Sequence, residues 1–157
     1  MILITVGTQD KQFLRILKIV ENAIKKGIVK EDVIAQIGYT KFKSDYIKTY
    51  EFLTGAELDS YIKEASLIIT HGGIGSLTSA LNKKKKIFAM PRLSTYKEHI
   101  NDHQEQIVDK FNKLGYIKRI DDYDDFVREY KNLSKFKPKY PKFNNEKILK
   151  IIEDYIS

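Results

Sequence analysis

Short apolar runs alternate along the chain with longer stretches in which apolar residues recur every three or four positions. Ile2-Leu-Ile-Thr-Val6 is too short for a helix and predicts a first, buried parallel strand. Phe13, Ile16, Leu17, Ile19, Val20 and Ile24 then follow helical spacing, which predicts a helix from about Asp10 to Lys26, stopped at Gly27. Asp32 to Gly38 reads as a second strand, and the partly alternating Tyr46 to Leu53 as a third. Thr54 and Glu57 have capping-box spacing ahead of a helix through Ala65 that turns Leu58, Ile62 and Ala65 inward. Leu67, Ile68 and Ile69 form a fourth apolar run. It enters a turn with Gly72, Gly73 and Gly75, after which Ile74, Leu77, Thr78 and Leu81 restart helical spacing.

Ile87 to Met90 is a fifth strand, stopped by Pro91. Beyond a polar loop from Arg92 to Ile100, Asn101 is placed to cap a helix carrying Ile107, Val108, Phe111 and Leu114, which Gly115 ends. Tyr116 to Ile120 predicts a last strand, and Asp121 and Asp122 open a helix with Phe126, Val127 and Tyr130. This alternation predicts an α/β fold over residues 1–133, a Rossmann-like parallel sheet with helices on both faces. Residues 134–157 read differently. Ser134 to Asn145 is rich in lysine and proline and predicts an extended connector. Glu146 to Ser157 closes as an amphipathic helix with more apolar residues than one stripe needs, so it is expected to pack on the domain or on a partner.

Length and composition narrow the possibilities. A chain of 157 residues fits one domain with a substantial core. Without cysteine it has no disulfide and no cysteine-ligated metal. The opening apolar run ends too soon for a signal peptide, and no run approaches the roughly 20 apolar residues of a membrane helix, so a cytoplasmic location is expected. The net charge of +7 suits an anionic partner, whether nucleic acid, a membrane face or a small ligand. No RNA-binding or zinc-finger signature accompanies it and the lysines are scattered, so no nucleic-acid partner is expected. Lys83 to Lys86 has two readings, a solvated helix end or a lipid-headgroup contact.

Candidate chemistry collects in three loops. In parallel sheets ligands bind at the carboxyl ends of strands. Thr5–Gln9, Thr70–Ser76 and Pro91–Gln104 each follow a predicted strand. In the second loop the glycines permit close approach of a ligand, and the helix start offers unpaired N–H groups suited to phosphate. His71 and Ser76 add side-chain donors at the same mouth. The same turn is equally compatible with a plain strand–helix connection that holds nothing. His99 and His103, four apart, are half of a zinc site, a pair bonding the helix start, or contacts to a ligand's hydroxyls. No His-Glu-x-x-His pattern accompanies them and no metal is expected. Ser76 lacks a Gly-x-Ser-x-Gly setting, no Walker A loop is present, and Gly7 lies outside any Gly-x-Gly-x-x-Gly.

Taken together, Thr70-His-Gly-Gly-Ile-Gly-Ser76, Met90-Pro-Arg92 and Glu98-His-Ile-Asn-Asp-His-Gln104 resemble the nucleotide-sugar-binding half of a GT-B glycosyltransferase, of the family 28 C-terminal type. The chain is similar to the small single-domain subunits of bacterial exopolysaccharide and capsule synthesis. It also resembles the cytosolic catalytic subunit of the two-subunit transferase that adds the second GlcNAc to dolichol-linked sugar. Ile2-Leu-Ile-Thr-Val-Gly-Thr-Gln9 matches the bacterial group as well, and the likeness spans about residues 1–120.

The resemblance implies a donor site for a UDP-sugar. His71, Gly72, Gly73, Gly75 and Ser76 would hold the diphosphate, with Gly7 and Thr8 approaching the phosphates or the sugar. His99, Asp102, His103 and Gln104 would read sugar hydroxyls. Ser79 stands where the family commonly has a Glu that grips the ribose, a departure that weakens nucleotide contact, and Lys83–Lys86 replaces the usual Gly before the next strand. No cofactor or metal is implied, and UDP-galactose, UDP-glucose and UDP-GlcNAc all stay open as donors. A GT-B enzyme needs two such domains, with the general base commonly on the acceptor side. The resemblance therefore implies a membrane-associated partner that holds a lipid-linked saccharide acceptor and the base, with this chain peripheral at the inner membrane face. The alternative is a non-catalytic activator of a partner glycosyltransferase.

Overall fold

The computed structural model describes residues 1–140 and Lys150. Apart from Lys150, the expected helix over 146–157 lies outside the described residues, as does the end of the connector.

Six strands form one fully parallel sheet in the order β3-β2-β1-β4-β5-β6. They are β1 (Ile2–Thr5), β2 (Val33–Gln36), β3 (Lys48–Tyr50), β4 (Leu67–Thr70), β5 (Ile87–Ala89) and β6 (Lys118–Arg119). The helices between them are α1 (Leu14–Lys25), α2 (Gly55–Glu64), α3 (Ile74–Asn82) and α4 (His103–Lys113), and α5 (Tyr123–Lys131) follows β6. The central strands are apolar on both faces because both faces are covered. Ile2 and Ile4 pack with Phe13, Leu17 and Val20 of the α1 region and Phe126 of α5. Leu3 and Ile68 point the other way, to Leu77 and Leu81 of α3 and Val108 and Phe111 of α4. Each such buried side chain contributes about 2 kcal/mol over exposure, so the two layers hold the sheet from both sides.

Strand order reverses between β1 and β4, which both run in register from Ile2 opposite Leu67 to Thr5 opposite Thr70. Their carboxyl ends therefore open the crevice at which ligands bind in doubly wound sheets.

Several boundaries differ from the sequence reading. α1 begins at Leu14, because the Gln12 side chain bonds Tyr39 O and Lys41 N, and Phe13 N bonds Thr40 Oγ1. Residues 9–13 are thereby held as a loop. β3 keeps three residues as an edge strand, since only one neighbour is there to pair with it. β6 is likewise shortened to two residues. The Thr54 cap is as expected, with Oγ1 accepting from Glu57 N and donating to the Glu57 carboxylate. Asn101 Oδ1 accepts from His103 N, just before α4.

Lys83–Lys86 sits at the amino end of β5, on the sheet edge opposite the crevice. Lys83 pairs with Asp59, Lys85 Nζ donates to Lys63 O and Ala65 O, and Lys86 Nζ donates to Leu133 O. These lysines tie the helix end to neighbouring backbone.

Candidate functional site

The site grows out of the paired ends of β1 and β4. Thr5 and Thr70 hydroxyls share a 2.8 Å hydrogen bond, and Thr70 Oγ1 lies 3.2 Å from His71 Nδ1. The backbone continues this registry, with His71 N donating to Thr5 O. The His71 ring then passes between two glycines. A Cβ on Gly7 would stand 2.5 Å from His71 Nε2, and one on Gly73 would meet the same nitrogen. Gly7 also has φ of +83°, which only glycine adopts at no cost. His71 is thus a buried spacer beneath the turn, where the sequence suggested a side chain open to ligand. Burial, reinforced by the Arg92 charge, pushes its imidazole down to about 4, so it is neutral at physiological pH.

Gly72 is closed in from the other side. A Cβ there would lie 2.8 Å from Gln104 Cβ and Gln104 O, and 2.9 Å from Val108 Cγ2. The turn is therefore pressed directly onto the start of α4. Gly75 meets nothing within 4 Å, so it faces open space at the mouth. α3 starts there, at the carboxyl edge of the sheet, with Gly73 as its N-cap. Among the described residues no side chain caps this helix start, as an anion-binding helix start requires.

Beside this turn lies a cleft of about 370 Å³ lined by Thr5, Leu58, Ile62, Ile68, Gly75, Ser76, Ser79 and Ala80. Its lining combines apolar side chains with the hydroxyls of Thr5, Ser76 and Ser79, the usual make-up of a small-molecule pocket. Ser76 and Ser79 share it, so the structure joins them to the glycine turn as expected. Leu58 and Ile62, read from sequence only as helix core, form its far wall.

The third loop behaves differently from the sequence reading. Asp102 is exposed, but its carboxylate accepts from Ser94 N at 2.9 Å and from Ser94 Oγ at 3.0 Å. It closes the short 3₁₀ turn Ser94–Tyr96 onto the start of α4. Ser94 holds that carboxyl below its ordinary range. Gln104 is buried, and its Oε1 accepts from Arg92 N. His99 is half-buried with Nδ1 accepting from Asn101 N, and burial followed by the Arg92 charge lowers its pKa. Thr8 and His103 are exposed at the rim. Among the described residues no three His, Asp or Glu side chains gather where they could hold a metal ion.

Arg92 received no role from the sequence, because a lone arginine after a strand carries no periodic signal. It is fully buried, and burial lowers its pKa to about 10, which leaves it charged at neutral pH. Its guanidinium donates to Val6 O from Nε at 3.0 Å and from Nη2 at 2.6 Å. Nη1 donates to Lys11 O at 2.7 Å and to Glu98 O at 3.0 Å. The ring of Phe13 lies 5.1 Å from its central carbon. Neighbouring Glu98 turns its own carboxylate to Arg15 and Leu93 N.

Comparison with known proteins agrees with this geometry. A curated relative, the UDP-N-acetylglucosamine transferase subunit ALG13 of Candida albicans, is 29% identical over 91 residues, 55% of this chain and 30% of the relative. The chain thus spans about a third of that relative's length. An NMR solution structure of ALG13 superposes with a TM-score of 0.62 at 19% identity, covering 99% of this chain and 96% of that one. The calicheamicin glycosyltransferase CalG4 superposes with a TM-score of 0.61 at 10% identity, over 98% of this chain but 37% of its own. The fold is accordingly that of half a GT-B enzyme. Residues 1–153 match the glycosyltransferase family 28 C-terminal domain, and the chain belongs to that family.

Proposed function

We propose that this chain is the donor-binding subunit of a two-component glycosyltransferase that moves a hexose or N-acetylhexosamine from a UDP-sugar to a lipid-linked acceptor in surface polysaccharide synthesis. The observation that carries this reading is the uncapped α3 start behind Gly72–Gly75, at the β1–β4 switch point and beside the Ser76–Ser79 cleft. The diphosphate rests on the α3 N–H groups. The uridine enters the apolar cleft, with Ser79 offering a short contact to the ribose.

In the transfer, the acceptor oxygen bonds to the anomeric carbon as the bond to UDP breaks. The acceptor proton goes to a base on the partner, and UDP leaves with the electron pair. Stabilising the charge that grows on the leaving diphosphate lowers the barrier. The helix start supplies that stabilisation, so the reading needs no metal.

Among the described residues, four of the five exposed large hydrophobic side chains, Tyr39, Phe52, Tyr96 and Ile100, lie on loops that follow β2, β3 and β5. They ring the edge at which the site opens, which supports a membrane-associated partner covering it. The cytoplasmic face of the membrane is the location this reading gives.

Calorimetric titration of the chain, alone and with its co-expressed partner, tests the proposal. Binding of UDP at micromolar to low-millimolar concentration is expected, unchanged by EDTA. Ser79, too short for a firm ribose grip, is the observation that favours the second reading, a non-catalytic activator. Under that reading no heat appears with UDP in either state, while the partner's activity still rises on addition of the chain.

A further inference from the structure

The guanidinium of Arg92 is fully buried, yet all of its hydrogen bonds go to main-chain carbonyls. Among the described residues no carboxylate forms an ion pair with it, since Glu98, whose carbonyl it holds, directs its carboxylate to Arg15. A buried charge of this kind ordinarily recruits a counter-ion. Here one cation instead ties together three places in the chain: the end of β1, the β1–α1 loop and the β5–α4 loop.

The first of these contacts has a directional consequence. Val6 O receives two of the four bonds. A trans peptide is planar, with its C=O and N–H pointing to opposite sides. Fixing Val6 O toward Arg92 therefore aims the Gly7 N–H away from it. Gly7 lies against His71, which lies against Gly73 at the start of α3. The Val6–Gly7 peptide and the α3 start are thus held one imidazole apart.

Resting on the donor reading above, we propose that Arg92 is a positioning residue of the diphosphate site, acting through the Val6–Gly7 peptide. It orients the Gly7 N–H as a phosphate donor opposite the α3 start, and it places beneath the turn a positive charge that attracts a bound anion. Its own guanidinium does not touch the ligand, being spent on Val6, Lys11 and Glu98. The lowered pKa of His71, to which the Arg92 charge contributes, accords with this charge reaching the turn.

The test compares R92M and R92K with the parent chain by calorimetric titration of UDP, uridine and inorganic pyrophosphate. NMR titration of the His71 ring is recorded alongside. R92M is expected to lose UDP and pyrophosphate affinity by about 10- to 100-fold while uridine affinity stays within about threefold. The same variant raises the His71 pKa. R92K, which keeps the charge but cannot span three carbonyls, falls between the two, and it supplies the comparison where R92M does not fold.

Equal losses for UDP and uridine, or undiminished UDP binding by R92M, overturn the proposal and leave the donor reading standing. Pyrophosphate binding that depends on Arg92, in a chain that binds no UDP, supports the positioning role and sinks the donor reading. A parent chain that binds neither UDP nor pyrophosphate overturns both.

Discussion

Arg15 grips Glu98 with two parallel hydrogen bonds, Nε to Oε2 at 3.0 Å and Nη2 to Oε1 at 2.8 Å, across 83 residues of sequence. Arg15 also lies 4.5 Å from the ring centre of Tyr96. The pair fastens α1 to the β5–α4 loop just outside Arg92. Glu98 is nearly fully buried and Arg15 about a quarter exposed, so the solvent discount is partial. Glu98→Gln, which breaks the paired geometry, is expected to cost about 2 kcal/mol of stability by chemical denaturation. Arg15→Lys, which keeps charge but not the fork, should cost less than half as much.

The glycines of the turn separate folding from binding. Gly72→Ala drives a methyl into Gln104 and Val108 and should destabilise by about 1–3 kcal/mol. Gly75→Ala meets open space in the first turn of α3 and should leave stability unchanged or raise it by about 0.5 kcal/mol. If the mouth at Gly75 takes the donor diphosphate, the same variant weakens UDP binding about tenfold. Thermal melting and titration on one preparation distinguish the two effects.

Acid should unfold the chain partly through His71. Its imidazole titrates near 4 in the folded protein against 6.5 ordinarily. Between these values the unfolded chain takes up a proton that the folded chain refuses. Stability therefore does not depend on this group above about pH 6.5, falls as pH drops toward 4, and is lower by on the order of 3 kcal/mol once below it. His71→Gln should flatten that part of the pH–stability curve, read by urea midpoints from pH 7.5 to 4.

Lengthening Ser79 tests the ribose contact. Ser79→Glu places a carboxylate in the cleft beside Ser76. A charge-assisted bond to ribose hydroxyls should tighten UDP binding about tenfold. Dideoxyuridine diphosphate, lacking both hydroxyls, should show no gain.

Among the described residues Ile100 is the most exposed large hydrophobic one, at 78%. Ile100→Asp should leave the melting temperature of the isolated chain within about 2 °C, since surface changes stay near 0.5 kcal/mol. Loss of the partner in co-purification from the same variant would locate the interface on this edge.

Much of the fold was legible because its strands are buried on both faces. Ile2–Val6 and Leu67–Ile69 can hardly be anything but central strands, and the glycine turn between an apolar run and a helix marks the ligand edge. Thr54 and Glu57 announced their cap. What stayed hidden depends on contacts distant in sequence. The α1 start moved to Leu14 because Gln12 bonds Tyr39 and Lys41, and no local pattern encodes that. Asp102 read as a ligand contact, yet Ser94 holds it, and Gln104 supports Arg92 N. Arg92 itself stood within a quoted motif, but its burial arises only when β1 and the β5–α4 loop meet.

The contact between Gly7, His71 and Gly73 ties three positions that sequence places in two separate loops. None of them can change freely while the others stay. A methyl at either glycine needs the space of the imidazole, and a smaller residue at position 71 opens a void that a side chain at position 73 fills, while the positive φ of Gly7 keeps glycine there. In natural sequences of this fold positions 71 and 73 should covary, Ala or Ser at position 73 accompanying loss of the ring at position 71, while position 7 stays glycine. The thickness of one aromatic ring thus acts as an inherited gauge of how far apart the two loops stand.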